Sequence, residues 1–452
     1  MTEPLARVWW KPFPWKKWSP IVTPPEAHSV VVWVDDQGIA HARDGKTGRI
    51  IAEGGDHASV IQSAIDYLSD GGRVFIRKGV YSIASTVTVP DGVTLEGEMH
   101  ANARYYDTRG TVLRGSADPI IKVTTEKDTY YSGAIAIRNL RVRPASNNAA
   151  ILASASKPLS SLTIENVGVV PEQLFKGYGI VLDASQQPII DVLIRRVECY
   201  YLDKAIWAKG VYQSGSSLYL YVTTLTISKC TFERNNTAIR LEGVQTALIG
   251  NSIIENSQTN GVEVYASRAV WIADNHFENN PYQSGTTGYD LIVQGEPSLN
   301  YYTSAVYVRN NLFASRYAAA NVYVKYSARV VIAENLFLYT PQNNIYADAD
   351  ARYLWIENNI FSSQNTILGR RLVNSGKATF SGNGATTQFL IDHGIDGTPT
   401  TAVVTPGSSD AKGNFYITLD STYIYVNYAT PPPSGSNNVV LYWYARRGME
   451  GL

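Results

Sequence analysis

This 452-residue chain has two cysteines, three methionines, no net charge and no long apolar run. Each shortage excludes something. Cys199 and Cys230 give neither a disulfide framework nor a metal-ligand spacing. Lysine plus arginine and aspartate plus glutamate both total 39, so no global field draws the protein to nucleic acid or acidic lipid. No stretch reaches the roughly 18 apolar residues of a membrane span, and no membrane insertion is expected. The opening MTEPLARVWWKPFPWKKWSP also lacks the apolar run of a cleaved export signal. Pro4, Pro12, Pro14 and Pro20 break it, and Lys11, Lys16 and Lys17 charge it. Proline makes that segment extended rather than helical. Three methionines against thirty tyrosines hint at a thermostable protein from a harsh setting.

What the chain has is a repeated phrase: IAIRNLRV, LTIENVGV, VLIRRVEC, LTISKCTF, ALIGNSII, VWIADNHF, VYVRNNLF, VVIAENLF, LWIENNIF. Its alignment column is Leu140, Val167, Val197, Cys230, Ser252, Asn275, Asn311, Asn335 and Asn359. The steps are 27, 30, 33, 22, 23, 36, 24 and 24 residues, a solenoid period with insertions. Alternating aliphatics make each phrase a short strand with one face inward. The asparagine after it is expected to take a left-handed corner, and both cysteines are expected to be buried free thiols. An inward apolar column follows (Phe232, Ile254, Phe277, Phe313, Phe337, Phe361), and then a further strand phrase: GIVLD, AIWAK, AIRLE, GVEVY, DLIVQ, NVYVK, NIYAD. The expected fold is all-β, a right-handed parallel β-helix.

Open coil ends need caps. DHASVIQSAIDYLSDGG reads as an amphipathic capping helix with Asp56 at the N-cap and Val60, Ile61, Ala64, Ile65 and Leu68 on one stripe. Ile61–Asp66, Gly79-Val80-Tyr81 and Val93–Gly97 resemble the opening of the pectate-lyase-like superfamily, which includes enzymes and phage tailspike proteins. With the repeats, the resemblance covers roughly residues 50–368. It implies the fold and leaves the activity open, since one fold hosts many functions. The expected organisation is residues 1–27 as an extended aromatic and basic segment, 28–55 as N-terminal strands and 56–368 as capping helix and coil. A linker follows at 369–376. Residues 377–452 alternate polar and apolar and are expected to form a small antiparallel, sandwich-like β-domain, either a plug or a trimerising or receptor-binding module.

In proteins of this resemblance a sugar lies along the strand series that here reads GIVLD to NIYAD. Period two turns Val181 and Asp183, Trp207 and Lys209, Arg240 and Glu242, Glu263 and Tyr265, Asp290, Ile292 and Gln294, Tyr323 and Lys325, and Tyr346 and Asp348 outward. Arg240 is expected directly below Glu263, with Glu242 and Asp290 diagonal to it. Glu242, Glu263, Asp290 and Arg240 are therefore the candidate catalytic set. Two carboxyls on neighbouring coils suit an inverting glycosidase, and the same residues could serve a lyase. Trp207, Tyr265, Tyr323 and Tyr346, with Lys209 and Lys325, are the candidate carbohydrate-binding residues. Insertions at 211–224, 280–290 and 295–305 mark the same side. Glu233, Glu255 and Glu278 form a competing column, read as a solvated edge beside a solvent-facing His276. His393 is given a strand or turn role. No metal site or cofactor is expected; Asp348 and Asp350 could chelate calcium only weakly.

These features agree with a virion tailspike or tail-fibre protein that binds, or also depolymerises, a host cell-surface polysaccharide. It is expected to be a homotrimer, attached to the particle through residues 1–18, at the virion or extracellular surface. A free-standing lyase or glycoside hydrolase and a non-catalytic glycan-binding adhesin are the alternatives.

Overall fold

The computed structural model describes residues 29–448 except 69, 99–108, 127–133, 146, 212–219, 286, 340–342, 363–366 and 370. The opening segment, with its proposed anchor, and most of the 211–224 insertion lie outside the described residues.

Three N-terminal strands, Ser29–Val34, Ala40–Asp44 and Ile50–Gly54, pair antiparallel in a meander. The helix His57–Asp66 follows, and the Asp56 side chain accepts from the Ser59 amide to close its first turn. Val60, Ile61, Ala64, Ile65 and Leu68 are buried against the first coils. The expected stripe is the one that packs.

From Gly72 the chain winds into coils. A complete coil has a long first strand (Arg268–Ala273), a short second strand (His276–Glu278) and a third strand (Tyr289–Gln294). Each pairs in parallel with its counterpart on the next coil, as Val270 with Val306 and Phe277 with Phe313. The third strands form one 11-stranded parallel sheet. Inside, Phe277, Phe313, Phe337 and Phe361 stack with ring centroids 4.8–4.9 Å apart.

The corner after the first strand differs from expectation. Asn275, Asn311, Asn335 and Asn359 are not the left-handed residues. Asp274, Asn310, Glu334 and Asn358, one position earlier, carry φ of 60°, 54°, 59° and 53°. The column asparagines instead turn inward and form a ladder. Each Oδ1 accepts the amide of the column residue one coil earlier, Ser252 for Asn275 and an asparagine for the others, and each Nδ2 donates to a buried carbonyl. An inward corner leaves backbone groups without strand partners, and an amide side chain supplies both a donor and an acceptor.

After the last coil, Val373–Gly382, Gly435–Arg446 and Thr401–Pro406 form one antiparallel sheet. Gln388–Asp392, Tyr423–Tyr428 and Phe415–Leu419 form a second. Phe389, Ile391, Val426, Val439 and Leu441 fill the core between them. This unit meets the coil where Leu372 donates to the Leu354 carbonyl and Arg446 lies 4.8 Å over the Trp355 ring. His393 is fully buried there; Nδ1 accepts from the Ile395 amide and Nε2 bonds the Asp420 carbonyl, a turn role.

Candidate functional site

The third-strand sheet presents two outward columns. Register places Trp207, Arg240, Glu263, Ile292, Tyr323 and Tyr346 in one. Lys209, Glu242, Tyr265, Gln294 and Lys325 stand beside it in the other. Five steps of about 4.8 Å make this face roughly 24 Å long from Trp207 to Tyr346. Ile180, Leu182, Ile239, Leu241, Val262 and Val264 alternate inward and are buried.

Arg240 lies at the centre, directly paired with Glu263 in register. Its Nη1 donates to Glu263 Oε2 at 2.8 Å and its Nε to Glu242 Oε2 at 3.1 Å. Asn260 and Thr237 donate to the other Glu263 oxygen, at 2.7 and 3.2 Å. The indole of Trp207 donates to Glu242 Oε2 at 3.4 Å. Burial works against the Arg240 charge, and the Glu263 and Glu242 carboxylates outweigh it, so its pKa lies above the ordinary arginine value. The guanidinium also lies 5.5 Å over the Tyr265 ring. An open recess of about 210 Å³ is lined by Arg240, Glu263, Tyr265, Ile292 and Gln294.

Aromatic groups bracket this cluster. Towards the N-terminal coils, Trp207 packs 5.5 Å from Tyr178, with Lys209 Nζ 4.6 Å and Lys204 Nζ 5.1 Å from the indole. Lys209 also pairs with Asp183 at 3.3 Å. On the other side Tyr289, Tyr323 and Tyr346 stack at 4.8 and 5.2 Å. Burial, with Asp348 nearby, pushes the Tyr323 hydroxyl up to about 12, so it stays a neutral donor.

Asp290 is a correction: it does not face outward. It is fully buried, and its carboxylate accepts from Ser315 Oγ at 2.5 Å, Asn321 Nδ2 at 2.8 Å and Asn280 Nδ2 at 3.0 Å. The reason is local. The second residue of these strands turns inward with the third, as in Ala205-Ile206, Ala238-Ile239 and Gly261-Val262, so strict alternation fails beside the corner. Val181 keeps the outward register but is covered, 6% exposed. The candidate catalytic set thus shrinks to two carboxylates joined by one guanidinium.

Tyr178 and Tyr289 were not in the expected binding set, although both begin strands of this series. A larger cleft of about 680 Å³ lies beyond the short strands, lined by Glu278, Tyr282, Gln283, Arg316, Tyr317 and Tyr339. The 280–290 insertion marked part of it. Tyr317 and Tyr339 belong to later coils, and no local pattern points to them. His276 pairs with Glu278 at 3.4 Å beside this cleft, and Glu233 is buried rather than solvated.

The fold and this face define a right-handed parallel β-helix protein. A family model described as "Right handed beta helix region" matches residues 209–396. A second, "Periplasmic copper-binding protein (NosD)", matches residues 107–290. Copper does not fit this coil: both cysteines are buried, burial raises both thiol pKa values, and no group of three or more His, Cys, Asp or Glu is placed to hold a metal among the described residues. No curated protein matches the sequence. Among solved structures, an Acinetobacter phage tailspike protein aligns over 87% of this chain and 84% of its own, at 11% identity and TM-score 0.46. Geobacillus virus E2 ORF18 aligns over 83% and 74%, at 12% identity and TM-score 0.45. The A-module of a mannuronan C-5 epimerase from Azotobacter vinelandii aligns over 68% and 95%, at 14% identity and TM-score 0.41. At these identities the likeness is of fold alone.

Proposed function

We propose that this protein is a polysaccharide-binding shaft of the tailspike or tail-fibre type, which lays a host cell-surface glycan along the third-strand face. The observation that carries the reading is one face holding the Arg240–Glu263–Glu242 cluster between the Trp207 and Tyr323–Tyr346 aromatics. Sugar rings offer C–H faces to aromatic side chains and hydroxyls to charged groups, and here both are fixed before a ligand arrives. Residues 1–18 would attach the protein to the particle, and three copies would assemble.

Binding, rather than cleavage, is the activity this face supports best. An inverting hydrolase needs one carboxyl to give a proton and another to activate water. Glu263 is committed on both oxygens, Glu242 shares its guanidinium, and Asp290 lies inside. Incubation with the host polysaccharide is expected to release neither reducing ends nor unsaturated products, while the glycan is retained. Product release that Glu242→Gln with Glu263→Gln abolishes would make the face catalytic and overturn this reading.

A further inference from the structure

The last coil ends in the strands Arg352–Glu357 and Ile360–Phe361, and the terminal β-domain opens with Val373–Gly382. Between them lies an open cavity of about 350 Å³. That is the small end of the range for ligand pockets, room for one ring-sized molecule rather than a chain. Ile356, Phe361 and Ile367, at the end of the coil's apolar core, line one part of it. Arg371, on the short connection, lines it together with Ser375 and Tyr444 of the β-domain.

Arg371 is unlike the other arginines of the coil. Its Nε is shut off from water and has no hydrogen-bond partner. Arg138, Arg143 and Arg234 share that feature, but each has a carboxylate close by, at 3.9, 3.0 and 3.5 Å. Among the described residues no carboxylate pairs with Arg371, so burial alone acts on its charge and lowers its pKa. A cation drawn out of water without a counter-charge is costly, and an anion brought into this cavity would offset that cost. The other polar groups here divide into two sets. Asn359 and Asn374 are committed, each accepting a backbone amide and donating to a backbone carbonyl. The side chains of Glu357, Asn358, Ser375 and Tyr444 make no hydrogen bond among the described residues and line the same space as Arg371.

We propose that this cavity binds a hydroxylated monocarboxylate the size of one sugar-acid ring, with its carboxylate on Arg371. The planar guanidinium fork matches the two oxygens of a carboxylate. The Ser375 and Tyr444 hydroxyls and the Asn358 amide bond ligand hydroxyls, and the apolar end of the coil takes a C–H face. Glu357 accepts from a ligand hydroxyl and repels a second negative charge. It therefore selects a carboxylate over a phosphate, which carries about −1.5 to −2 at neutral pH. Because coil and β-domain both line the cavity, a bound ligand ties the two together and stabilises the folded chain. The site shares no residue with the third-strand face, so either reading can fail alone.

Titration calorimetry of the full chain with D-glucuronate is expected to show one site per chain, and glucuronate is expected to raise the unfolding midpoint. D-glucose, the same ring without the carboxylate, and inorganic phosphate are each expected to bind at least about tenfold more weakly. Arg371→Gln is expected to lose about tenfold or more of the glucuronate affinity and to keep polysaccharide binding on the third-strand face. Trp207→Ala is expected to do the reverse. Should Arg371→Gln misfold, Glu357→Gln gives a second reading: with the repulsion gone, phosphate is expected to bind more tightly than to wild type. The proposal is overturned by no glucuronate binding, by glucose or phosphate binding as tightly as glucuronate, by undiminished binding in folded Arg371→Gln, or by unchanged phosphate affinity in Glu357→Gln.

Discussion

Asp290→Ala is expected to destabilise the fold by about 3–5 kcal/mol, because it strands three buried donors at once. Those donors are Asn280 and Ser315, just after the second strands of successive coils, and Asn321, in the third strand of the later coil. Asn280 in turn accepts the Ser257 amide and donates to the Ile254 carbonyl, and Asn321 Oδ1 accepts from Asn344. The carboxylate therefore ties together successive coils beside the 280–290 insertion. Burial raises its pKa from 3.8 to about 6, and the bonds from Ser315, Asn321 and Asn280 oppose the shift without cancelling it. Because the folded-state pKa lies above the unfolded one, the folded protein binds the proton more tightly between pH 4 and 6. This group therefore makes stability rise as pH falls from about 7 towards 4, by up to ~3 kcal/mol. Asp290→Asn keeps an acceptor and cannot titrate, so it is expected to flatten that part of the profile. Denaturant unfolding at pH 4.5 and 7.5 checks it; equal pH slopes in wild type and Asp290→Asn would contradict the account.

Asn311→Ala is expected to cost about 3–4 kcal/mol. Its Oδ1 accepts from the Asn275 amide and from Asn275 Nδ2, and its own Nδ2 donates to the Ile272 carbonyl and to Asn335 Oδ1. None of these partners has water to turn to, since Asn275, Asn311 and Asn335 are all buried. Each orphaned group costs roughly 1–3 kcal/mol, and relaxation recovers part of the sum. Asn359 ends the ladder and is only half-buried, so Asn359→Ala is expected to cost less than half as much. Unfolding free energies for the two variants measure the difference, and an equal or reversed order would show that the ladder does not hold the corner.

The coil was legible because its repeat writes each rung twice, once as alternating aliphatics and once as the Phe column. Period two and the repeat spacing together set the register, which is why Arg240 sits under Glu263. Asp290 was misread because alternation breaks beside a corner. The signal was present as the small residues Ala205, Ala238 and Gly261 at the same position, where nothing larger and apolar is used. The left-handed residue was misplaced by one for a similar reason: Asn358 and Asn359 are adjacent, and either could turn the corner. Their tasks differ only in hydrogen bonding, which sequence spacing does not reveal. The 680 Å³ cleft joins side chains from three coils, and their meeting is a property of the winding.

The third-strand face is expected to hold the glycan. Equilibrium binding of the host's purified surface polysaccharide should be measured for wild type, for Trp207→Ala and Tyr323→Ala on that face, and for Tyr317→Ala in the other cleft. Removing either aromatic from the proposed face is expected to weaken binding about tenfold or more, with Tyr317→Ala close to wild type. Full binding by Trp207→Ala and Tyr323→Ala, with loss in Tyr317→Ala, would contradict the claim and move the site beyond the short strands.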